Sequence, residues 1–198
     1  GGEKLDPSLS TAAFTQYVRD EAGILSDKTE EAVGLYNANW DKLFGSIMAV
    51  VTTGDESDLE NAAYNYAMEM QLGENDAILL IAKQQQDYYL LASGDFYDLL
   101  STLSPSFVAS CMADDVQKDN YDAAVRSLCD ALHVELSRRY QQSEAALNEA
   151  AVYVMFIMVL VMLFVLWIVL DGMRYRRYRR RYMMPGMGIP TVVYRPIF

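Results

Sequence analysis

Apolar residues recur along this chain with two periods, and the alternation between them lays out an α/β domain. Val33, Tyr36, Trp40 and Phe44 fall at three- and four-residue spacing, the stripe of a helix with one buried face. Asp27 with Glu30 three residues on reads as a variant capping box, and Leu25 is placed as a hydrophobic staple, so this helix is predicted to start there. Residues 46–52 (SIMAVVT) form a short apolar run, β-branched toward its end and bounded by Gly45 and Gly54, as expected of a buried strand. Ser57 or Asp58 then caps a second helix that buries Leu59, Ala62, Ala63, Tyr66, Ala67 and Met70 and stops at Gly73. A second buried strand, Ala77–Ala82 (AILLIA), turns through polar residues into a third, residues 88–92 (YYLLA), that is partly exposed. Gly94 ends that strand, Asp95 is placed to cap a short helix through Leu100, and Pro105 opens another ending near Ala113. From Asn120 the helical stripe Tyr121, Ala124, Val125, Leu128, Ala131, Leu132, Leu136 runs on toward the C-terminal third. The expected fold is α/β: a small mixed sheet of three or four strands flanked by helices, plus a C-terminal single transmembrane helix.

That last helix rests on residues 151–170, twenty uncharged and almost wholly apolar positions that reach roughly 30 Å at ~1.5 Å per residue, the thickness of a bilayer core. Arg174, Arg176, Arg177, Arg179, Arg180 and Arg181 follow, with Tyr175, Tyr178 and Tyr182 interleaved. Arginines beside a crossing stay on the cytoplasmic side and attract anionic headgroups by about 1 kcal/mol each, so residues 1–150 are expected outside the cytoplasm. Such a chain needs an export signal, and since none precedes Leu5 one is expected to have been removed. The charge follows the same division. Before Ala151 there are 26 acidic and 9 basic residues, a net −17, whereas 1 acidic and 7 basic residues lie beyond. So acidic a domain argues against nucleic acid as a partner and for cations or cationic proteins. The expected organisation is a flexible leader (1–16), an extracytoplasmic α/β domain (17–119), a helical extension or stalk (120–150), the crossing (151–170) and a basic cytoplasmic tail (171–198).

The order Val18-Arg19-Asp20-Glu21-Ala22-Gly23-Ile24-Leu25-Ser26, the strand at 46–52, Ala62-Tyr64-Asn65-Tyr66-Ala67 before Leu72-Gly73, Asn75-Asp76-Ala77-Ile78-Leu79-Leu80-Ile81, and Asp87-Tyr88-Tyr89 through Ser93-Gly94-Asp95 resembles a TPM domain. That family is named from thylakoid-lumen and photosystem II repair proteins and an acetylcholine-receptor modulator, and includes bacterial membrane-anchored members. The resemblance is close over residues 17–94 and looser beyond. It implies an extracytoplasmic α/β domain tethered by one terminal helix, acidic loop residues that bind calcium, and in some plant members a weak acid-phosphatase activity. Two positions depart from the pattern. Ala77 stands where members commonly have Gly, and Gln86 where they have an Arg near the strand turn; without that guanidinium a bidentate anion ligand is lost.

Asp20, Glu21, Glu74, Asp76 and Asp95 all sit at predicted element ends, where the fold could gather hard oxygen ligands for Ca²⁺ or Mg²⁺; the alternative is caps and solvated turns. Asp114, Asp115, Asp119, Asn120 and Asp122 lack the glycine and terminal glutamate of an EF-hand loop and are expected to be solvated. His133, the single histidine, has no neighbouring nucleophile and is expected on a helix surface or partly buried. Cys111 and Cys129, 18 residues apart, are either a disulfide or two buried thiols. The expected function is a membrane-anchored, protein-interacting or complex-organising module for an unidentified envelope or membrane protein. A low-specificity, divalent-metal-dependent acid phosphatase is the alternative, and a channel or transporter subunit has little support from one crossing without internal charge.

Overall fold

A computed structural model describes residues 4–182, the side chains of Tyr175 and of residues 177–182 excepted. The tail 183–198 and the side chains of Arg177, Arg179, Arg180 and Arg181 thus lie outside the described residues. The chain divides into two compact units, residues 1–143 and 144–198.

The first unit is built on one four-stranded sheet in the order β1-β2-β3-β4: β1 (Val18–Asp20), β2 (Met48–Thr53), β3 (Ala77–Ala82) and β4 (Asp87–Ala92). β1, β2 and β3 are parallel, with Val18 opposite Val50 and Val50 opposite Leu79, and β4 returns antiparallel with Leu79 opposite Leu90. β2 and β3 are buried on both faces, which is why they read as unbroken apolar runs rather than alternating ones. β1 is too short and too polar to carry such a signal, and it closes the sheet at one edge.

Helix α1 (Asp27–Phe44) begins one residue earlier than its charge pattern indicates. Ser26 is the cap, its hydroxyl accepting from the Thr29 amide at 3.3 Å, and the helix ends at Gly45 in the left-handed region. Helix α2 (Leu59–Glu69) is capped by Asp58 as expected, but stops through Gln71, held at a φ of 54°, and not at Gly73. Helices α3 (Gly94–Thr102) and α4 (Phe107–Gln117) follow β4. Ser93, not Asp95, holds the cap position of α3, and α4 starts two residues beyond Pro105 and runs to Gln117, four past the expected end. α2 alone covers one sheet face, over Ala49, Val51, Ile78 and Leu80. The other face, carrying Met48, Val50, Leu79 and Ile81, packs under α1, α3, α4 and the start of α5 (Tyr121–Tyr182).

That start of α5 is core. Tyr121, Ala124, Val125, Leu128, Cys129, Leu132 and Leu136 are all buried, so the stretch expected as a stalk from residue 120 supplies the domain's central helix. It runs parallel to α1, and the two are joined at a nearly constant offset in sequence. Asp122 accepts from the Ser26 amide and hydroxyl, Arg126 Nε donates to Thr29 Oγ1 at 3.0 Å, Tyr36 donates its hydroxyl proton to Asp130, Trp40 Nε1 donates to His133 Nδ1 at 3.1 Å, and Phe44 meets Tyr140 edge-on. His133 is only 7% exposed, more deeply placed than the sequence indicates, because its ring is the acceptor that lets Trp40 bury an indole N–H.

In the second unit, residues 151–170 are helical and every one presents its side chain outward, with mean hydropathy 3.0 in the most apolar window. This segment is long and apolar enough to cross a membrane.

Candidate functional site

In open sheets with parallel strands, ligands bind at the carboxyl ends of those strands, where helix N-termini converge. Here that end is organised by Asp20, the last residue of β1. Its Oδ1 accepts from the Thr52 hydroxyl and the Ile24 amide (3.0 Å), and its Oδ2 from the Leu25 amide (2.9 Å). Thr52 in turn accepts from the Ala22 amide at 3.1 Å. One carboxylate therefore folds the loop 21–25 back onto β2 and aims it at the cap of α1. Burial alone would raise the Asp20 pKa, but the hydrogen bonds from Thr52, Ile24, Leu25 and Gly23 outweigh it and hold the carboxyl below its ordinary value of 3.8. Asp122 behaves alike. Burial opposes its charge, yet the Ser26 amide, the Thr29 and Ser26 hydroxyls and the Arg126 guanidinium keep it low. Glu30, facing the same corner, is pushed up by burial and then by the charges of Asp20 and Asp27.

The five carboxylates expected to form one metal site are not brought together. Asp20 and Glu21 lie at the carboxyl end of the sheet, and Glu21 accepts from the Tyr66 hydroxyl at 2.9 Å. Asp76 precedes β3 at the opposite end, because Asp20 is level with Thr52 and Ile81, five residues further along. At ~3.3 Å per residue this places them roughly 16 Å apart along the strands. Asp76 accepts from the Ile47 amide at 3.0 Å and from the Gly73 amide, fastening the entries to β2 and β3. Glu74 and Asp95 flank a nearby turn in which the Asp95 amide donates to Asn75 Oδ1 at 3.0 Å. Among the described residues no group of three or more His, Cys, Asp or Glu side chains is placed to hold a metal ion. Asp20 and Asp76 also spend their oxygens on backbone amides, so their donor sets fit loop fastening and do not fit a cation cage.

An open cavity of about 710 Å³ does lie at the carboxyl end, lined by Ile24, Gly54, Lys83, Gln84, Gln86, Asp119 and Tyr121. Gln86, where the resemblance led one to look for Arg, donates its amide to Asp119 Oδ1 (3.1 Å) and the Gln117 carbonyl (3.3 Å). The Tyr121 hydroxyl donates to the same Asp119 oxygen at 2.8 Å; burial and that carboxylate push Tyr121 up to about 12. Asp119 and Asp122, expected to be solvated, are thus structural acceptors that tie the α4–α5 turn to β4 and to α1. No periodicity announces this, since each contact spans about 30 residues or more. Cys111 and Cys129 are both free thiols, Cys129 buried, and burial raises the pKa of each. Of the two alternatives the spacing left open, the structure has the unbridged one.

The depressed carboxyls set a pH dependence. A folded pKa below the unfolded one contributes stability above about 3.8 that is lost as pH falls through the lower folded value. Glu30 works in the opposite sense, stabilising least once pH has risen past its raised pKa. Thermal melts are expected to hold level near neutrality and to fall steeply below pH 4. In Asp20→Asn the midpoint should be lower at pH 7 and the acid fall shallower; an unchanged acid fall would remove Asp20 from this role.

Comparison with known proteins adds three findings. Residues 18–135 match the TPM domain family. A comparison with the curated proteins finds no match. Among solved structures, the chain is similar to the N-terminal domain of a P. gingivalis protein, with a TM-score of 0.54 at 20% identity over 67% of this chain and 91% of that one. It is also similar to the N-terminal domain of the cg2496 protein of Corynebacterium glutamicum (TM-score 0.48, 12% identity, 67% and 85% covered) and to BA42 of Bizionia argentinensis (0.48, 13%, 59% and 83%). At these identities the P. gingivalis domain shows a shared fold and nothing more.

Proposed function

Because the chain belongs to the TPM domain family, we propose that it is a membrane-anchored module whose acidic α/β domain stands on the extracytoplasmic side and engages another envelope or membrane protein. The observation that carries this reading is the helical segment 151–170, which turns an apolar side chain outward at nearly every position. Water solvates such a surface poorly and a bilayer receives it without penalty. The orientation follows from Arg174 and Arg176 just beyond it and the arginines after them, against 26 acidic residues before it. An interaction role also accords with where the acidic side chains go. Asp20, Asp76, Asp119 and Asp122 accept hydrogen bonds that build loops and helix starts, which leaves them ill-suited to ligate a metal or take up a phosphate ester.

Two measurements test this. Protease added to intact cells is expected to degrade the α/β domain and leave the arginine end, and the reverse pattern would invert the orientation. The full chain in detergent is expected to release no phosphate from p-nitrophenyl phosphate with Ca²⁺, Mg²⁺ or EDTA; hydrolysis lost in Asp20→Asn and Asp76→Asn would replace this reading with a metal-dependent phosphatase.

A further inference from the structure

The face of the sheet covered by α2 is where the acidic charge and the exposed apolar surface coincide. Between Lys42 and Lys118 the chain carries twelve carboxylates and a single basic residue, Lys83, which lies at the far end of β3. On α2 itself there is no basic residue. Arg19, which reaches over from β1, is paired with Glu69 at 2.8 Å. Within this negative field Tyr64 and Met68, one turn apart, are 57% and 64% exposed, unusual for large apolar side chains on a surface helix. They form one wall of a groove of about 320 Å³ whose floor and far wall are Leu72, Ile78 and Leu91, between the C-terminal half of α2 and the β3–β4 hairpin. Its mouth is edged by Asp76, with Glu74 and Asp95 on the adjoining turns, and by the carbonyl end of α2, where the helix dipole is negative.

We infer that this groove is the docking site of the interaction module, and that its occupant is a segment of another protein presenting one or two apolar anchors between lysines or arginines. An apolar, Met- and Tyr-walled centre with a charged rim is the anatomy of a recognition surface. A rim of one sign with no cation in the wall selects the partner's charge, because a like-charged segment is repelled and a basic one is steered in. The inference rests on the proposed interaction role and names the site and partner class for it.

The test uses the full chain in zwitterionic micelles with methyl-labelled methionine and leucine, and two capped probes, KKGFLGKK and EEGFLGEE. The lysine probe is expected to shift the methyl resonances of Met68, Leu72 and Leu91 saturably while those of the buried Met48 and Met112 stay still. The glutamate probe should bind at least tenfold more weakly. Met68→Lys, at a site exposed enough to leave the fold intact, is expected to abolish the shifts, and Glu74→Lys to weaken them. Equal binding of both probes, shifts confined to Met155, Met158 and Met162, or Met68 shifts that follow protein concentration without probe would each overturn the inference; the last would make a second copy the occupant. Lysine-probe binding undiminished in Met68→Lys overturns the groove but leaves the interaction role standing, whereas carboxylate-dependent phosphate release overturns the role itself.

Discussion

Alanine in place of Gly94 is expected to destabilise the folded domain by about 3 kcal/mol, among the larger effects of removing no contact at all. Gly94 has a φ of +50°, and a Cβ built on it would stand 2.2 Å from Asn75 Oδ1 and 2.3 Å from the Glu74 carbonyl oxygen. The asparagine can swing aside, but in doing so it gives up the bond it accepts from the Asp95 amide. The carbonyl is backbone and can move only with the turn that Asp76 fastens to β2. Gly45 is the control. Its φ is +61° with nothing within 4 Å, so Gly45→Ala carries the conformational strain alone, about 1 kcal/mol. Urea unfolding of both variants in detergent separates the two contributions; equal midpoints would show that the turn at residues 73–76 yields freely.

The second large effect is expected at Trp40. Trp40→Ala should lower stability by about 4 kcal/mol, in the range for emptying a fully buried aromatic position. The indole is completely inaccessible, lies 5.4 Å from the Tyr36 ring and 6.3 Å from Phe96, and donates to His133. It therefore joins α1 to α3 and α5 at once. Trp40→Phe keeps most of the ring and loses the N–H, and should cost about 1 kcal/mol. If the two variants unfold at the same urea concentration, the hydrogen bond to His133 and not the packing carries the position.

What the sequence discloses and what it withholds divide along a physical line. β2, β3, α1 and α2 are legible because each buries enough side chains in register for a period of two or 3.6 to emerge, and Asp58 caps α2 by a local rule. β1 escapes that reading: three residues long, it owes its place to pairing with β2 rather than to its own composition. The candidate metal site fails for a related reason. Asp20 and Asp76 both look like turn carboxylates, but sequence spacing does not tell which end of a parallel strand each one occupies, and they occupy opposite ends. The structural roles of Asp119, Asp122 and His133 are set by partners 33, 96 and 93 residues away, beyond any local signal. The groove beside α2 was half visible: Tyr64 and Met68 fall off the predicted buried stripe, and a large apolar residue off the stripe is the one signal that marks such a surface.

The parallel course of α1 and α5 has a mechanical consequence. Partners that climb both helices in the same direction and at matched intervals lie side by side along the pulling axis, so a tug along α5 stretches every rung together. Helices joined at one end only would part rung by rung under a far smaller force. A domain seated on its tether in this way resists being dragged open from the tethered strand of chain.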